Sequence, residues 1–243
     1  MRALPRVAGH GSRTRRRAIA PRARPTIDPV TQVKICGVTR TEDAALAADL
    51  GAWAVGTIFV AESPRACDPD VAETIGAELK RRVELVGVFV NATLDEVALL
   101  ADRCGLTILQ LHGDEGPSYC REAARRTGCR VMKAVPVRDA ASLRRLRAFR
   151  EVDLHLLDAH SPSVRGGSGL TFDWELARLH EGPVPLVLSG GIDAGNVGEA
   201  IAAVHPYAVD SASGTEAGPG VKDPAKVSAL IEAVRAADAP RAA

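Results

Sequence analysis

The chain has 243 residues, 46% of them hydrophobic, which suits one α/β barrel and supplies a sizeable core. Aromatics make up only 3%, so that core must be Ala, Val, Leu and Ile, and platforms for stacking nucleic-acid bases are not expected. A net charge of +1 gives no strong field for polyanions, and no apolar run is long enough to span a membrane.

Residues 1–30 differ from everything that follows. Arg2, Arg6, Arg13, Arg15, Arg16, Arg17, Arg22 and Arg24 alternate with Pro, Gly and Ala without any apolar period, which predicts a disordered tail. No apolar stretch follows the arginines, so a secretory signal is not expected. The sharper alternatives for the tail are a nucleic-acid arm or a transit peptide; the bland one is a solvated extension. The five cysteines, Cys36, Cys67, Cys104, Cys120 and Cys129, are scattered without a C-x-x-C pair. Neither a metal site nor a disulfide framework is expected, and a reducing, cytoplasmic setting fits.

From residue 32 onward, short β-branched runs alternate with Ala/Leu/Arg/Glu-rich stretches. The runs predict strands over 32–38, 54–59, 85–90, 107–112, 130–135, 155–159, 185–190 and 208–213. The stretches between them predict helices near 41–50, 70–82, 94–104, 117–127, 139–149, 173–180, 194–203 and 224–237. Asp139 and Asp193 are expected as N-caps, Gly105 and Gly128 as helix stops, and Pro69 and Pro224 in first turns. Eight such units with short connections predict parallel strands and right-handed crossovers. An open doubly wound sheet would carry its Gly-rich turn after the first strand. Here the Gly-rich turns follow strands six, seven and eight. The fold class expected is therefore α/β, a single-domain (β/α)8 barrel over residues 31–243.

In a barrel the chemistry sits at the carboxyl ends of the strands. Those positions hold Lys34 and Cys36, Arg65, Asn91, Gln110 and His112, Lys133, Asp158, Ser189-Gly190-Gly191, and Asp210 with Ser213-Gly214. Glycine turns on two consecutive strands, seven and eight, are expected to cradle a phosphate with backbone N–H groups; the other reading is two plain turns. Cys36 is either a small buried hydrophobe or a reactive thiol. Asp158 closes an apolar strand, where a carboxylate needs a partner or a purpose. The two groups open onto one mouth and can act on a small substrate as base and acid. The Gly-rich segment 161–169 reads as a lid or as an ordinary connector. Arg65 reads as a carboxylate clamp or as a solvated loop arginine.

These motifs resemble the phosphoribosylanthranilate isomerases of tryptophan biosynthesis. The resemblance runs from Val33 to about Ile231. It is carried by Lys34-Ile35-Cys36-Gly37-Val38-Thr39, Ser63-Pro64-Arg65, Val86-Gly87-Val88-Phe89-Val90-Asn91, Leu109-Gln110-Leu111-His112-Gly113 and Leu157-Asp158. Gly166-Gly167-Ser168-Gly169 with Phe172-Asp173-Trp174, Leu188-Ser189-Gly190-Gly191, Ala208-Val209-Asp210, Ser213-Gly214, Glu216 and Pro219-Gly220 before Lys222-Asp223 complete it. It implies a TIM barrel and an Amadori rearrangement of a small phosphosugar, N-(5-phosphoribosyl)anthranilate, without metal or organic cofactor. It further implies Cys36 as general base and Asp158 as general acid, Arg65, Gln110 and Asp210 toward the substrate, and Gly190, Gly191, Ser213 and Gly214 around the phosphate. No nucleic-acid or membrane partner is implied, and the oligomeric state is expected to be a monomer or homodimer.

An ordinary thiol is mostly protonated at neutral pH, so Lys34 or substrate charge is expected to lower the pKa of Cys36. Asp158 must hold a proton, so burial under a closed lid is expected to raise its pKa. Two positions depart from the family pattern: Ala212 stands where a serine is usual, and His160 where a smaller polar residue is expected. Three other readings make distinct forecasts. A sister isomerase of the histidine pathway would carry an acid in place of Cys36. A non-catalytic phosphate-binding barrel would bind without turnover. A nucleic-acid binder would lose steeply salt-dependent binding once residues 1–30 were removed.

Overall fold

A computed structural model of the chain describes residues 30–137, 139–158 and 174–239. Eight parallel strands close into a barrel in sequence order: β1 (Gln32–Cys36), β2 (Ala54–Ile58), β3 (Glu84–Phe89), β4 (Ile108–Leu111), β5 (Arg130–Pro136), β6 (Leu154–Asp158), β7 (Leu186–Ser189) and β8 (Ala208–Ser211). β8 pairs back onto β1, with Lys34 opposite Asp210. The helices are α1 (Thr41–Asp49), α2 (Pro69–Leu79), α3 (Leu94–Arg103), α4 (Pro117–Thr127), α5 (Ala140–Leu146), α6 (Trp174–Ala177), α7 (Val197–Val204) and α8 (Pro224–Asp238). Each predicted unit is present, so the expected barrel is the fold.

Two apolar layers make the core. Ala54, Val86, Ile108, Met132, Leu154, Leu156, Val187 and Ala208 fill the barrel interior. A larger layer, with Ile35, Val55, Leu109, Val131, Leu157 and Leu188 on the strands, packs against the helices. Strands buried on both faces must read as continuous apolar runs, which is why they were recognisable. At the base of the barrel, the Thr31 N–H and hydroxyl both donate to the Asp238 carboxylate, at 2.6 and 2.9 Å, joining the first strand to the last helix.

Local chemistry sets the helix ends. Asp68, Thr93, Asp139 and Asp223 accept N–H bonds in the first turns of α2, α3, α5 and α8; each such cap is worth about 1 kcal/mol. Pro69 and Pro224 occupy first turns as expected. Gly105 and Gly128 end their helices at φ of +62° and +73°. Asp193 differs from expectation: it accepts from Gly195 and Asn196 and closes a turn, so α7 starts three residues later than predicted, at Val197. A two-stranded antiparallel hairpin, β9 (Glu216–Gly218) and β10 (Val221–Lys222), follows β8 and is an addition to the predicted elements. Residues 1–29, His160 and the lid segment 161–169 lie outside the described residues. Among the described residues no helix is long and apolar enough to cross a membrane.

Candidate active site

Side chains alternate along a strand, so the inward positions near the carboxyl ends are fixed by the interior core below them. Above Ala208 on β8 stands Asp210, and above Leu154 and Leu156 on β6 stands Asp158. Lys34 and Cys36 share the inner face of β1. A polar row runs around the mouth. Lys34 Nζ donates to Asp210 Oδ1 at 2.7 Å, Ser189 Oγ donates to Asp210 Oδ2 at 3.0 Å, and Ser189 pairs in register with Asp158. Beyond Asp158 the row continues to His112, whose Nε2 lies 3.3 Å from Asp158 Oδ2, and to Gln110, whose Nε2 lies 3.3 Å from His112 Nδ1. The residues nominated for base and acid chemistry therefore open onto one mouth.

The base side is densely charged and buried. Cys36 and Lys34 are buried, and both converge on Gly56 of β2: a Cβ there would meet Cys36 Sγ at 3.0 Å and Lys34 Nζ at 3.3 Å. Gly56 is thus the space in which thiol and amine sit side by side. Burial pushes the Cys36 thiol above its ordinary pKa, with Lys34 pulling the other way. Of the expectation that Lys34 or substrate charge lowers the thiol, the Lys34 part has the expected sign but is outweighed by burial. The reason is that Lys34 is already neutralised by Asp210 while the thiol is fully desolvated. Burial also works against the Lys34 charge, but Asp210 and Cys36 outweigh it and hold Lys34 above its usual value.

Arg65 reaches the same side from the loop after β2. Its side chain crosses Gly37, where a Cβ would lie 2.7 Å from Arg65 Cδ. Its fork is bidentate on Glu216, Nε to Oε1 and Nη2 to Oε2, both at 2.8 Å. Burial disfavours the Glu216 charge, yet the bonds from Arg65 and the field of Lys222 hold its pKa below the usual carboxylate range. Lys222, fully buried, donates to the Cys36 carbonyl at 2.6 Å, the Ala212 carbonyl at 2.9 Å and Glu216 Oε1 at 3.3 Å.

The two Gly-rich turns are tied together by Ser211 Oγ, which donates to the Ile192 carbonyl at 2.6 Å. Gly190 and Gly191 take φ of +96° and +69°. Gly214 approaches so closely that a Cβ would lie 2.1 Å from the Ile192 oxygen. Ala212, the departure from the family pattern, contributes its carbonyl to Lys222 and to Thr215 Oγ1.

Two nominated positions do not line the mouth. Lys133 points outward from β5, between the inward Met132 and Ala134, and its amine serves the Gly113 carbonyl and Glu115 at 2.6 and 2.8 Å. Asn91 braces the β3 and β4 loops, accepting from Asp114 N–H at 2.7 Å. Conversely, Gly56 carries no local sequence signal, and the partners of Glu216 and Lys222 at Arg65 and Cys36 are far away in sequence. Among the described residues no group of His, Cys, Asp and Glu is arranged to hold a metal.

Residues 33–233 match the family model for N-(5'-phosphoribosyl)anthranilate isomerase. The chain belongs to the phosphoribosylanthranilate isomerase family. A relative from Citrifermentans bemidjiense, named N-(5'-phosphoribosyl)anthranilate isomerase, is 50% identical over 202 residues, 83% of this chain and 96% of that protein. The crystal structure of phosphoribosyl anthranilate isomerase from Thermotoga maritima superposes with a TM-score of 0.78 at 41% identity, over 85% of this chain and all of that one. A phosphoribosyl anthranilate isomerase solved with reduced 1-(o-carboxyphenylamino)-1-deoxyribulose 5-phosphate gives a TM-score of 0.75 at 38% identity, again over 85% of this chain and all of that one. The family span takes in every strand of the barrel and all of the site just described, while the arginine-rich tail falls outside it.

Proposed function

We propose that this isomerase converts N-(5'-phosphoribosyl)anthranilate to 1-(o-carboxyphenylamino)-1-deoxyribulose 5-phosphate, a step of tryptophan biosynthesis, with Cys36 as general base and Asp158 as general acid. The observation that carries the assignment is the polar row: thiol and carboxyl end strands β1 and β6 on the inner face of one mouth, with Lys34, Asp210 and Ser189 between them.

The roles follow from bond bookkeeping. Asp158 donates a proton to the ring oxygen as the C1–O bond breaks toward that oxygen, and the anthranilate nitrogen lone pair becomes a C=N bond. The resulting protonated Schiff base carries positive charge one bond from C2. Cys36 then removes the C2 proton; the C–H pair forms C1=C2 and the C=N pair returns to nitrogen. Tautomerisation of the enolamine gives the ketone. Atoms and electrons balance within the substrate, so no external oxidant or reductant is needed.

This order bears on the raised thiol pKa. A substrate bearing phosphate and carboxylate does not help a thiolate form, but the cationic Schiff base does. Ring opening supplies positive charge that makes the C2 proton acidic and favours the thiolate form of Cys36, which accepts that proton and becomes the thiol. Arg65, held flat by Glu216, presents its remaining N–H groups to the anthranilate carboxylate. Backbone N–H groups at Gly190, Gly191, Ser213 and Gly214 hold the phosphate, and Gln110 and Asp210 complete the polar lining.

The test is the loss of phosphoribosylanthranilate fluorescence. Cys36→Ala and Asp158→Asn are each expected to lower kcat by about 10²–10⁴-fold, the usual worth of one positioned acid or base. Wild-type turnover in either variant would remove that residue from its role.

A further inference from the structure

Lys222 is the least expected group near the thiol. It lies on β10, outside the barrel sheet, yet its side chain is wholly buried. Its amine faces three acceptors, the Cys36 carbonyl, the Ala212 carbonyl and Glu216 Oε1. A neutral amine has two N–H groups and an ammonium has three, so three acceptors call for the charged form. Only one of them is charged, and Glu216 is already shared with Arg65 and with the Gly220 N–H at 3.2 Å. A buried cation so incompletely neutralised is costly to keep.

The balance of charge around the thiol shows what that cost supplies. Facing Cys36 are Lys34 from its own strand, Asp210 from β8, Lys222 from β10 and Arg65 from the β2 loop, with Glu216 behind the last two. Three cations stand against two carboxylates. A thiolate at Cys36 brings the cluster to neutrality, and a thiol leaves it one positive charge in excess. Lys34 is matched by Asp210 at 2.7 Å, so the excess resides on the Arg65–Glu216–Lys222 side. The Cys36 carbonyl is itself a ligand of that ammonium, which fixes the peptide carrying the thiol at the end of β1.

We propose that Lys222 is a positioning residue for the isomerisation: it anchors the end of β1 through the Cys36 carbonyl and supplies the excess positive charge that the Cys36 thiolate neutralises. Through the shared Glu216, the same ammonium is coupled to the arginine that meets the substrate. The proposal rests on Cys36 being the base.

Lys222→Met removes both anchor and charge at similar volume; Lys222→Gln keeps a donor for the carbonyls and removes only the charge. Two readouts separate an electrostatic role from a merely structural one. The first is the pH midpoint for alkylation of Cys36, located by peptide mass and protected by a substrate analogue. The second is the split of kcat against KM. In Lys222→Met the midpoint is expected to rise by about one unit, and kcat to fall about 10–100-fold with KM within about threefold, since one pH unit corresponds to tenfold. Lys222→Gln is expected to show the same rise in midpoint with a smaller fall in kcat, and it carries the measurement should Lys222→Met not fold. An unmoved midpoint in a folded variant, or an effect on KM alone, overturns the proposal. Turnover by Cys36→Ala would instead overturn the base assignment, so the two failures are distinguishable.

Discussion

The two sides of the mouth are built differently. On the β8–β1–β2 side, Cys36 is buried among Lys34, Asp210, Lys222, Glu216 and Arg65, and every one of those charges is fixed by a short bond. On the β4–β6 side, Asp158 and His112 are 22% and 26% exposed and meet at 3.3 Å. The contrast teaches how one fold can host the proposed base and acid together. Fixed cations favour the thiolate, and the folded chain holds them beside Cys36 even though burial leaves the thiol pKa raised. A carboxyl acts as an acid by keeping its proton, a state that exclusion of water favours. In the proposed roles, the charges around the base are set by folding, whereas the acid stands on a partly exposed rim.

The largest effect should come from breaking the prepared side. Lys34→Met leaves buried Asp210 with the Ser189 hydroxyl as its one hydrogen-bond partner among the described residues. Removing one partner of a buried pair costs about 3–5 kcal/mol, measurable as a lowered urea midpoint at constant slope. A loss under about 1 kcal/mol would mean that this network is as loosely held as a surface pair.

Next in size is an acid-driven loss on the other side. β6, the strand that ends in Asp158, is held outward by His155. Its Nε2 lies 3.0 Å from the Phe149 carbonyl and its Nδ1 2.9 Å from His180 Nε2. One tautomer satisfies both contacts: His155 Nε2–H donates to the carbonyl, and Nδ1 accepts from His180 Nε2–H. A second proton on His155 would set N–H against N–H. Burial first, and then His180, hold His155 down to about 4, against an ordinary 6.5. The folded pKa is below the unfolded one, so the contribution is whole above about pH 6.5 and lost as pH falls toward 4. It amounts to about 3 kcal/mol. Denaturation midpoints should fall across that window, and His155→Leu should flatten the slope. An unchanged slope would show that acid sensitivity lies elsewhere.

The sequence was legible where chemistry and periodicity coincide. Cys36, Asp158 and the paired Gly turns sit at strand ends, and strand ends were readable from apolar runs buried on both faces. Lys133 failed because it also sits near a strand end, and only the register of Met132 and Ala134 tells outward from inward. Gly56 was illegible for a different reason: its value is an absence of atoms beside Cys36 and Lys34, which no local pattern encodes. Lys222 is bonded to a carbonyl 186 residues away, so its role depends on closure of the barrel. Arg65 was read as a clamp for substrate, but its first partner is Glu216, again a contact that only the closed fold creates. Residues 159–173, including His160, are outside the described structure.

The smallest effect sharpens the contrast from the open side. In its proposed role Asp158 holds a proton before ring opening and loses it afterwards, and the contact from His112 suits both states. With Nε2–H it donates to the carboxylate; with Nδ1–H it accepts from the protonated acid. The first tautomer suits Gln110 as placed, its NH2 toward Nδ1. The second needs the Gln110 carbonyl there instead, and Gln110 Oε1, buried without a partner among the described residues, is the group that a turn of the amide would bring round. His112→Asn should therefore lower kcat about five- to tenfold, an effect of roughly 1 kcal/mol on the barrier. Stability should change by less than about 1 kcal/mol, because the contact is partly exposed. Gln110→Leu should reproduce much of the kcat loss without touching Asp158. If instead His112→Asn unfolds the protein as readily as Lys34→Met, the acid side is prepared by folding too, and the asymmetry between the two halves of the mouth disappears.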